Sequence, residues 1–280
     1  VPDSFDRPRS LPLGLRVLRA LPLPRKLGIC ERLYGPAVSA LGTAWVATAA
    51  GPVWQLDLGN PTHRWLVYGD YEGPGFWRWF RRQPAPTAIV DSGANIGQTV
   101  LQFAAAAPRA RILAYEPGSA ARAWLSAGVE ANRFANATVE PSALGAAAGT
   151  ARLAGNPDPS LHGSWNHVNA TEGEPVAVVT LDEEIARHRL AHIDVWKLDL
   201  EGYERPALQG AALALRAGRI RAVHMEISGD AVSIDARDLL TACGYRPYTL
   251  SAFGRPRPVT GVRPYDSFLF LAPGHPDRPS

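Results

Sequence analysis

Lysine is almost missing from this sequence. Of 29 basic residues only Lys26 and Lys197 are lysines, and 26 acidic side chains leave a formal net charge of +3. So small an excess does not by itself make a nucleic-acid groove. Arginine in place of lysine, with much alanine, glycine and proline, reads as coding bias rather than as a phosphate-binding surface. Cysteine is equally scarce: Cys30 and Cys243 cannot make a disulfide scaffold and their separation matches no metal knuckle. A reducing cytoplasm is therefore the expected compartment. The start has no charged flank followed by a clean apolar run and a small-residue cleavage site, so no signal peptide is read. Long apolar runs are lacking too. The one weakly charged stretch, Pro36 to Trp54, is broken by Ser39, Gly42, Thr43, Thr48, Gly51 and Pro52, and no transmembrane segment is expected. What remains is a chain of 280 residues, 46% hydrophobic and 20% charged, enough for a sizeable globular core.

Residues 1 to 35 alternate proline with leucine and arginine. Short helices are expected around Leu15 to Leu21 and Lys26 to Tyr34, packing on the core or capping a cleft, with Arg16, Arg19, Arg25 and Arg32 available to an anionic surface. Between Asp70 and Arg82, Phe76, Trp77 and Phe80 would share one helix side, where burial is the commoner reason for aromatics than base stacking. From Thr87 onward strand, turn and helix repeat: strands at 87–90, 111–115 and 137–140, each followed by a turn, and the first two of these by helices. This is the signature of a parallel sheet covered by helices. A polar stretch, Gly155 to Glu174, is longer than a usual connection and reads as a lid or a surface loop. Further strands are expected at 176–180, 192–199, 221–225, 245–250 and 267–271, the last two as a terminal pair with an antiparallel edge. Pro273 to Ser280 reads as a frayed tail. No internal repeat is seen.

The chemistry-bearing residues fall at strand ends. Asp91-Ser92-Gly93-Ala94-Asn95-Ile96-Gly97 is a glycine turn directly after a buried strand, where backbone can approach a ligand. It lacks the Gly-x-Gly pair of the dinucleotide fingerprint and the Gly-Lys-Ser/Thr of a Walker A loop, which fits a nucleoside ligand without phosphates. Glu116, at the end of the next strand, can accept both ribose hydroxyls. Helix capping and solvated strand ends are the alternative reading of Asp91 and Glu116. Asp199 and Glu226 end later strands; Lys197 alternates with Asp199, and His224 with Glu226. His188, His192 and His224 have no metal-ligand spacing.

The strings Val90 to Gly97, Tyr115-Glu116-Pro117, Thr180-Leu181-Asp182, Lys197-Leu198-Asp199-Leu200-Glu201-Gly202-Tyr203-Glu204 and His224-Met225-Glu226 closely resemble the FkbM family of S-adenosylmethionine-dependent methyltransferases, in that family's order and over roughly residues 65 to 272. The resemblance implies an α/β fold, a class I methyltransferase Rossmann-like sheet of seven strands in the order 3-2-1-4-5-7-6 with the last strand antiparallel. It divides the chain into an N-terminal helical and short-strand extension or cap (1–82), a methyltransferase domain (83–274) and a tail (275–280). It implies that Asp91, Gly93, Asn95 and Gly97 shape the pocket for the amino acid part of S-adenosylmethionine, that Glu116 holds its ribose, and that Ser142 and Ala143 flank its adenine. Ser92 stands where the family often has an apolar residue.

The resemblance further implies an O-methyltransferase acting on a hydroxyl of a sugar, glycoconjugate or related natural product, so a small-molecule or glycan acceptor is expected and no nucleic acid. An alcohol is a poor nucleophile while protonated, so a general base helps. Asp199 and Glu226 lead as acceptor-side candidates, followed by His224 and His167, a histidine having the better resting pKa. Carboxylates around one cleft offer a second route, a divalent cation that acidifies the hydroxyl. Trp165 would stack on a pyranose face and Asn166 bond its hydroxyls if the 155–174 loop closes. Glu201 and Glu204 are read as loop-ordering and helix-capping groups. The competing functions are a nicotinamide dinucleotide oxidoreductase, which the glycine spacing disfavours, and a non-catalytic nucleoside-ligand-binding or scaffold protein of the same fold. The N-terminal segment is left open to cover its own site, complete a homodimer or touch a membrane-linked glycan precursor.

Overall fold

A computed structural model describes residues 7–21, 23, 25–48, 51–69, 72–154, 167–169, 171–227, 231–259 and 266–278. In chain order the elements are α1 (Leu13–Ala20), α2 (Lys26–Ser39), β1 (Thr43–Ala47), β2 (Val53–Asp57), α3 (Pro61–Tyr68), α4 (Gly73–Phe80), β3 (Ala88–Ser92), α5 (Val100–Ala106), β4 (Arg111–Tyr115), α6 (Ser119–Ala131) and β5 (Ala137–Glu140). Then come β6 (Ser142–Leu144), β7 (Gly149–Ala154), β8 (His167–Asn169), β9 (Glu174–Val179), α7 (Leu181–Arg187), β10 (Val195–Leu198), α8 (Glu204–Gln209) and α9 (Ala212–Arg216). The chain closes with β11 (Ala222–Ile227), α10 (Ala231–Ala242), β12 (Arg246–Leu250), β13 (Pro256–Pro258) and β14 (Asp266–Leu271).

The central strands are apolar on both sides because helices cover both faces of the sheet. With a side-chain period of two, Ala88, Val90, Trp196, Leu198, Val223 and Met225 pack with Leu181, Leu208 and Leu240 of α7, α8 and α10. Ile89, Val195, Ala222 and Leu269 pack on the other face, against Phe76, Trp77 and Phe80 of α4 and Phe103 of α5. The α4 aromatics are thus core residues, each at most 3% exposed. A third cluster joins α1, α2, α3 and the β1–β2 hairpin to Ile96 and Leu101.

The sheet itself corrects the expectation of seven strands in the order 3-2-1-4-5-7-6. It has eight strands in the order β13-β12-β14-β11-β10-β3-β4-β5. The correction lies at the edge: after the turn Ser251–Gly254, where Gly254 has φ of +71°, the chain folds back and β13 pairs antiparallel with β12. The strand is short and carries Pro256 and Pro258, which suits a sheet edge. β14 is antiparallel to both β11 and β12, so two strands rather than one run against the parallel set. A second sheet, β6-β9-β7-β8, also went unread; the strand expected near 176–180 is its β9 and not part of the main sheet. Residues 273–278, read as a frayed tail, are held: Trp79 Nε1 and Gln83 Nε2 donate to Asp277 Oδ2 at 2.8 and 2.7 Å. Among the described residues no helix is long and apolar enough to cross a membrane.

Candidate active site

The parallel register builds the site in rows. Lys197 on β10 is the partner of Asp91 on β3 and of His224 on β11, so three polar side chains lie side by side on the face that carries α4 and α5. Two residues on, the same pleat brings Asp199 and Glu226 to the strand ends, with Ser267 of β14 opposite Glu226. A cavity of about 200 Å³ is lined by Lys197, Leu198, Asp199, His224, Glu226 and Ser267, and by one residue the sequence reading missed, Glu72.

Glu72 immediately precedes α4, one turn before Phe76, and Phe76 stacks on the His224 ring at 4.2 Å. The helix that fills the core therefore also delivers a buried carboxylate, only 7% exposed, to the site. Its Oε1 is 3.6 Å from Lys197 Nζ and its Oε2 is 3.4 Å from His224 Nδ1. Lys197 Nζ donates to Asp199 Oδ2 at 2.9 Å. The available signal was the helix start Glu72-Gly73-Pro74 placed four residues before an inward-facing aromatic. Only packing tells that it reaches the sheet.

One ammonium thus serves several carboxylates. Burial pushes the Glu72 carboxyl up to about 7, Lys197 pulls it back, and the Asp199, Asp91 and Glu226 charges raise it again. Desolvation, helped by Lys197, lowers the His224 imidazole to about 3, so it is neutral and the pKa advantage expected of a histidine base is gone. Glu226, open to solvent at the rim, is raised by desolvation and then by Asp199. Glu204 orders the Lys-x-Asp loop: its Oε1 accepts from Leu200 and Gly202 N–H at 2.9 and 3.2 Å. Glu201 sits exposed in that loop at φ of +51°.

The glycine turn abuts this row. Asp199 N–H donates to the Ser92 carbonyl at 3.1 Å, and a Cβ on Gly93, whose φ is +76°, would run into the Asp199 carbonyl oxygen. Gly97 likewise holds a φ of +95°. Ser92 has a local use: its hydroxyl accepts the buried Trp196 indole N–H at 2.7 Å. Asp91 is fully buried; Thr99 Oγ1 donates to its Oδ2, and its Oδ1 has no partner within the protein. Burial raises its pKa against Lys197 and the Thr99 bond. Asn95 Oδ1 is also buried without a partner. Glu116, 6% exposed, accepts the Asn95 N–H at 2.7 Å and the Gly118 N–H at 2.8 Å, one on each oxygen. Its pKa is raised to about 7 by burial despite those bonds. Each carboxylate oxygen keeps a second acceptor direction. Two orphaned acceptors at the turn after β3 and a twice-anchored acid after β4 fit a ligand that brings hydroxyl and ammonium donors.

Ser142 and Ala143 are buried in β6, directly after β5, in register with Ala177 and Val178 of β9. Trp165 and Asn166 lie outside the described residues. The His167 backbone pairs with Ala154 of β7, and its side chain lies outside what the structure describes. For a cation, Glu72, Asp199 and Glu226 do not form a ligand cluster. The group of described residues whose ligand atoms come within 4.8 Å of one another is Glu140, Glu184 and His188. There Arg187 already bridges Glu140 and Glu184, and Tyr115 Oη donates to Glu184 Oε2 at 2.7 Å. Burial raises the Glu184 carboxyl, but the Arg187 and Tyr115 bonds outweigh it and the net shift is downward. The half-exposed Arg187 guanidinium thus already places a positive charge against both carboxylates.

Among solved structures, the O-methyltransferase from Bacillus cereus in complex with SAH is similar at 11% identity over 92% of this chain and 95% of that one, with a TM-score of 0.44. Precorrin-6y C5,15-methyltransferase from Geobacter metallireducens is similar at 12% identity over 70% and 86%, TM-score 0.42. Aeropyrum pernix fibrillarin with natively bound S-adenosyl-L-methionine is similar at 16% identity over 68% and 67%, TM-score 0.40. No curated protein sequence matches the chain. The strand ends that carry Asp91, Glu116, Asp199 and Glu226 all fall within residues 91–247, more than half of the chain, which match the methyltransferase FkbM domain, and the protein belongs to that family of methyltransferases.

Proposed function

We propose that the protein methylates a hydroxyl of a sugar, glycoconjugate or related polar natural product, with S-adenosylmethionine as donor. The observation that carries this reading is the lining of the cavity beside the glycine turn. Six of the seven lining residues are polar and five of them ionisable, a surface suited to a hydroxyl-rich acceptor. Asp91, Gly93, Asn95 and Gly97 would surround the amino acid part of the cofactor, Glu116 its ribose, and Ser142 and Ala143 its adenine. When bound, the cofactor supplies an electrophilic methyl group on a sulfonium.

The chain's own residues position and deprotonate the acceptor. Asp199, adjoining the glycine turn, takes the hydroxyl proton as the oxygen attacks. Lys197 fixes that carboxylate in place through its 2.9 Å bond to Oδ2. Glu226 holds a neighbouring hydroxyl at the rim. Neutral His224, pinned between Phe76 and Glu72, orients the acceptor rather than acting as the base. Trp165 would stack on a sugar ring of the acceptor and Asn166 bond its hydroxyls, with His167 a further acceptor-side candidate. In this reading residues 83–274 carry the reaction, residues 1–82 cap it and contribute Glu72, and 275–280 form the tail. The two free cysteines suit a reducing, cytoplasmic setting.

The test is transfer of isotopically labelled methyl to a panel of monosaccharides and glycosides. Asp199→Asn should lower kcat about 10² to 10⁴-fold with the dissociation constant for S-adenosylhomocysteine unchanged. Unimpaired transfer by this variant would remove Asp199 from the reaction. Transfer confined to amine acceptors would remove O-methylation.

A further inference from the structure

Exposed apolar side chains scattered singly over a surface need no explanation, but a concentration of them does. Seven of the ten large apolar residues exposed among the described residues fall between positions 13 and 33. On α1 the apolar arc is wider than the buried face: Leu15 is fully buried, while Leu13 and Val17, four residues apart, stand 73% and 56% exposed with Arg16 alongside. On α2, Cys30 and Val38 face the core, while Ile29 and Leu33 share the outer face with Arg32, Leu33 at 63% exposure. Leu21 and Leu23 continue the apolar surface between the helices.

Charge on the same segment has one sign. Residues 7 to 33 contain seven basic side chains and one acid, Glu31. That acid is held by Arg64 through two bonds of 2.6 and 3.1 Å, so it does not balance its neighbours. Arg16, Arg25 and Arg32 are exposed.

From this juxtaposition we infer that α1 and α2, with Leu21, Leu23 and Arg25, dock on an anionic lipid bilayer, leucines entering the acyl boundary and arginines meeting the headgroups. A second copy of the chain is the poorer occupant, because symmetric pairing through this face would oppose two arginine clusters. Neither helix is long enough to cross the bilayer, so the contact lies in the interface plane.

Vesicle flotation tests this with phosphatidylcholine alone and with phosphatidylcholine mixed with phosphatidylglycerol. The full chain should float only with the anionic vesicles and detach as salt rises. Arg16→Gln and Arg32→Gln should each weaken binding about fivefold. The triple variant Leu13→Gln, Val17→Gln, Leu33→Gln should abolish it while the thermal unfolding midpoint and circular dichroism stay unchanged. Absence of flotation, equal binding to both vesicle types, or undiminished binding by the triple variant would overturn the inference. So would a concentration-dependent dimer in light scattering that the triple variant loses, which would assign the face to a second copy.

Discussion

Replacing Glu72 by glutamine removes one ionisable proton from the cavity at nearly constant shape, and its effect can be worked out as a function of pH. The Glu72 carboxyl ionises near 7 in the folded chain against an ordinary 4.5, chiefly because it is buried. Below about 4.5 it is protonated in both folded and unfolded chains and costs nothing. Between 4.5 and 7 the unfolded chain ionises while the folded one stays protonated, so stability falls as pH rises; above 7 both are ionised and the loss is complete. The full loss is about 3 kcal/mol. Glutamine has no such dependence. Urea unfolding of both proteins at a series of pH values from 4 to 8 measures it. The stability of Glu72→Gln relative to the parent should climb by about 3 kcal/mol across that range, most of it between 4.5 and 7. Two parallel profiles would refute the reasoning, because they would mean that Glu72 ionises as an ordinary solvated carboxyl.

Ser92→Ala deprives the buried Trp196 N–H of its acceptor, and urea unfolding should show a loss of about 1 to 3 kcal/mol. Gly93→Ala places a methyl group against the Asp199 carbonyl at a positive φ. Calorimetry should show S-adenosylhomocysteine affinity falling at least about tenfold, since the turn must move to relieve the contact.

The strands that carry motifs were readable because β3 and β10, and β4 after Arg111, are buried on both faces and end in turn residues. The alternation Lys197/Asp199 and His224/Glu226 was readable for the same reason, since a period of two fixes which residues share a face. What was not readable depends on contacts between distant segments. β13 has two prolines in three residues and pairs only because the preceding turn folds it back on β12. The β6-β9-β7-β8 sheet is made of short strands, two of three residues, and its longer members β7 and β9 are partly exposed. Glu72 is separated from Lys197 by more than a hundred residues, and only the packing of α4 on the sheet joins them. His224 is where the alternation puts it, and what the sequence could not give is its burial beside Lys197, which weakens its basicity.

The central claim is that the turn after β3 and the acid after β4 form a nucleoside cofactor site, and calorimetric titration with S-adenosylmethionine and S-adenosylhomocysteine tests it most directly. The parent protein should bind both at micromolar concentration. Glu116→Gln, which keeps an acceptor for the backbone but loses the charge that meets the ribose hydroxyls, should bind at least about tenfold more weakly with unchanged circular dichroism. No binding of either ligand by the folded parent, or equal affinity in the two proteins, would contradict the account.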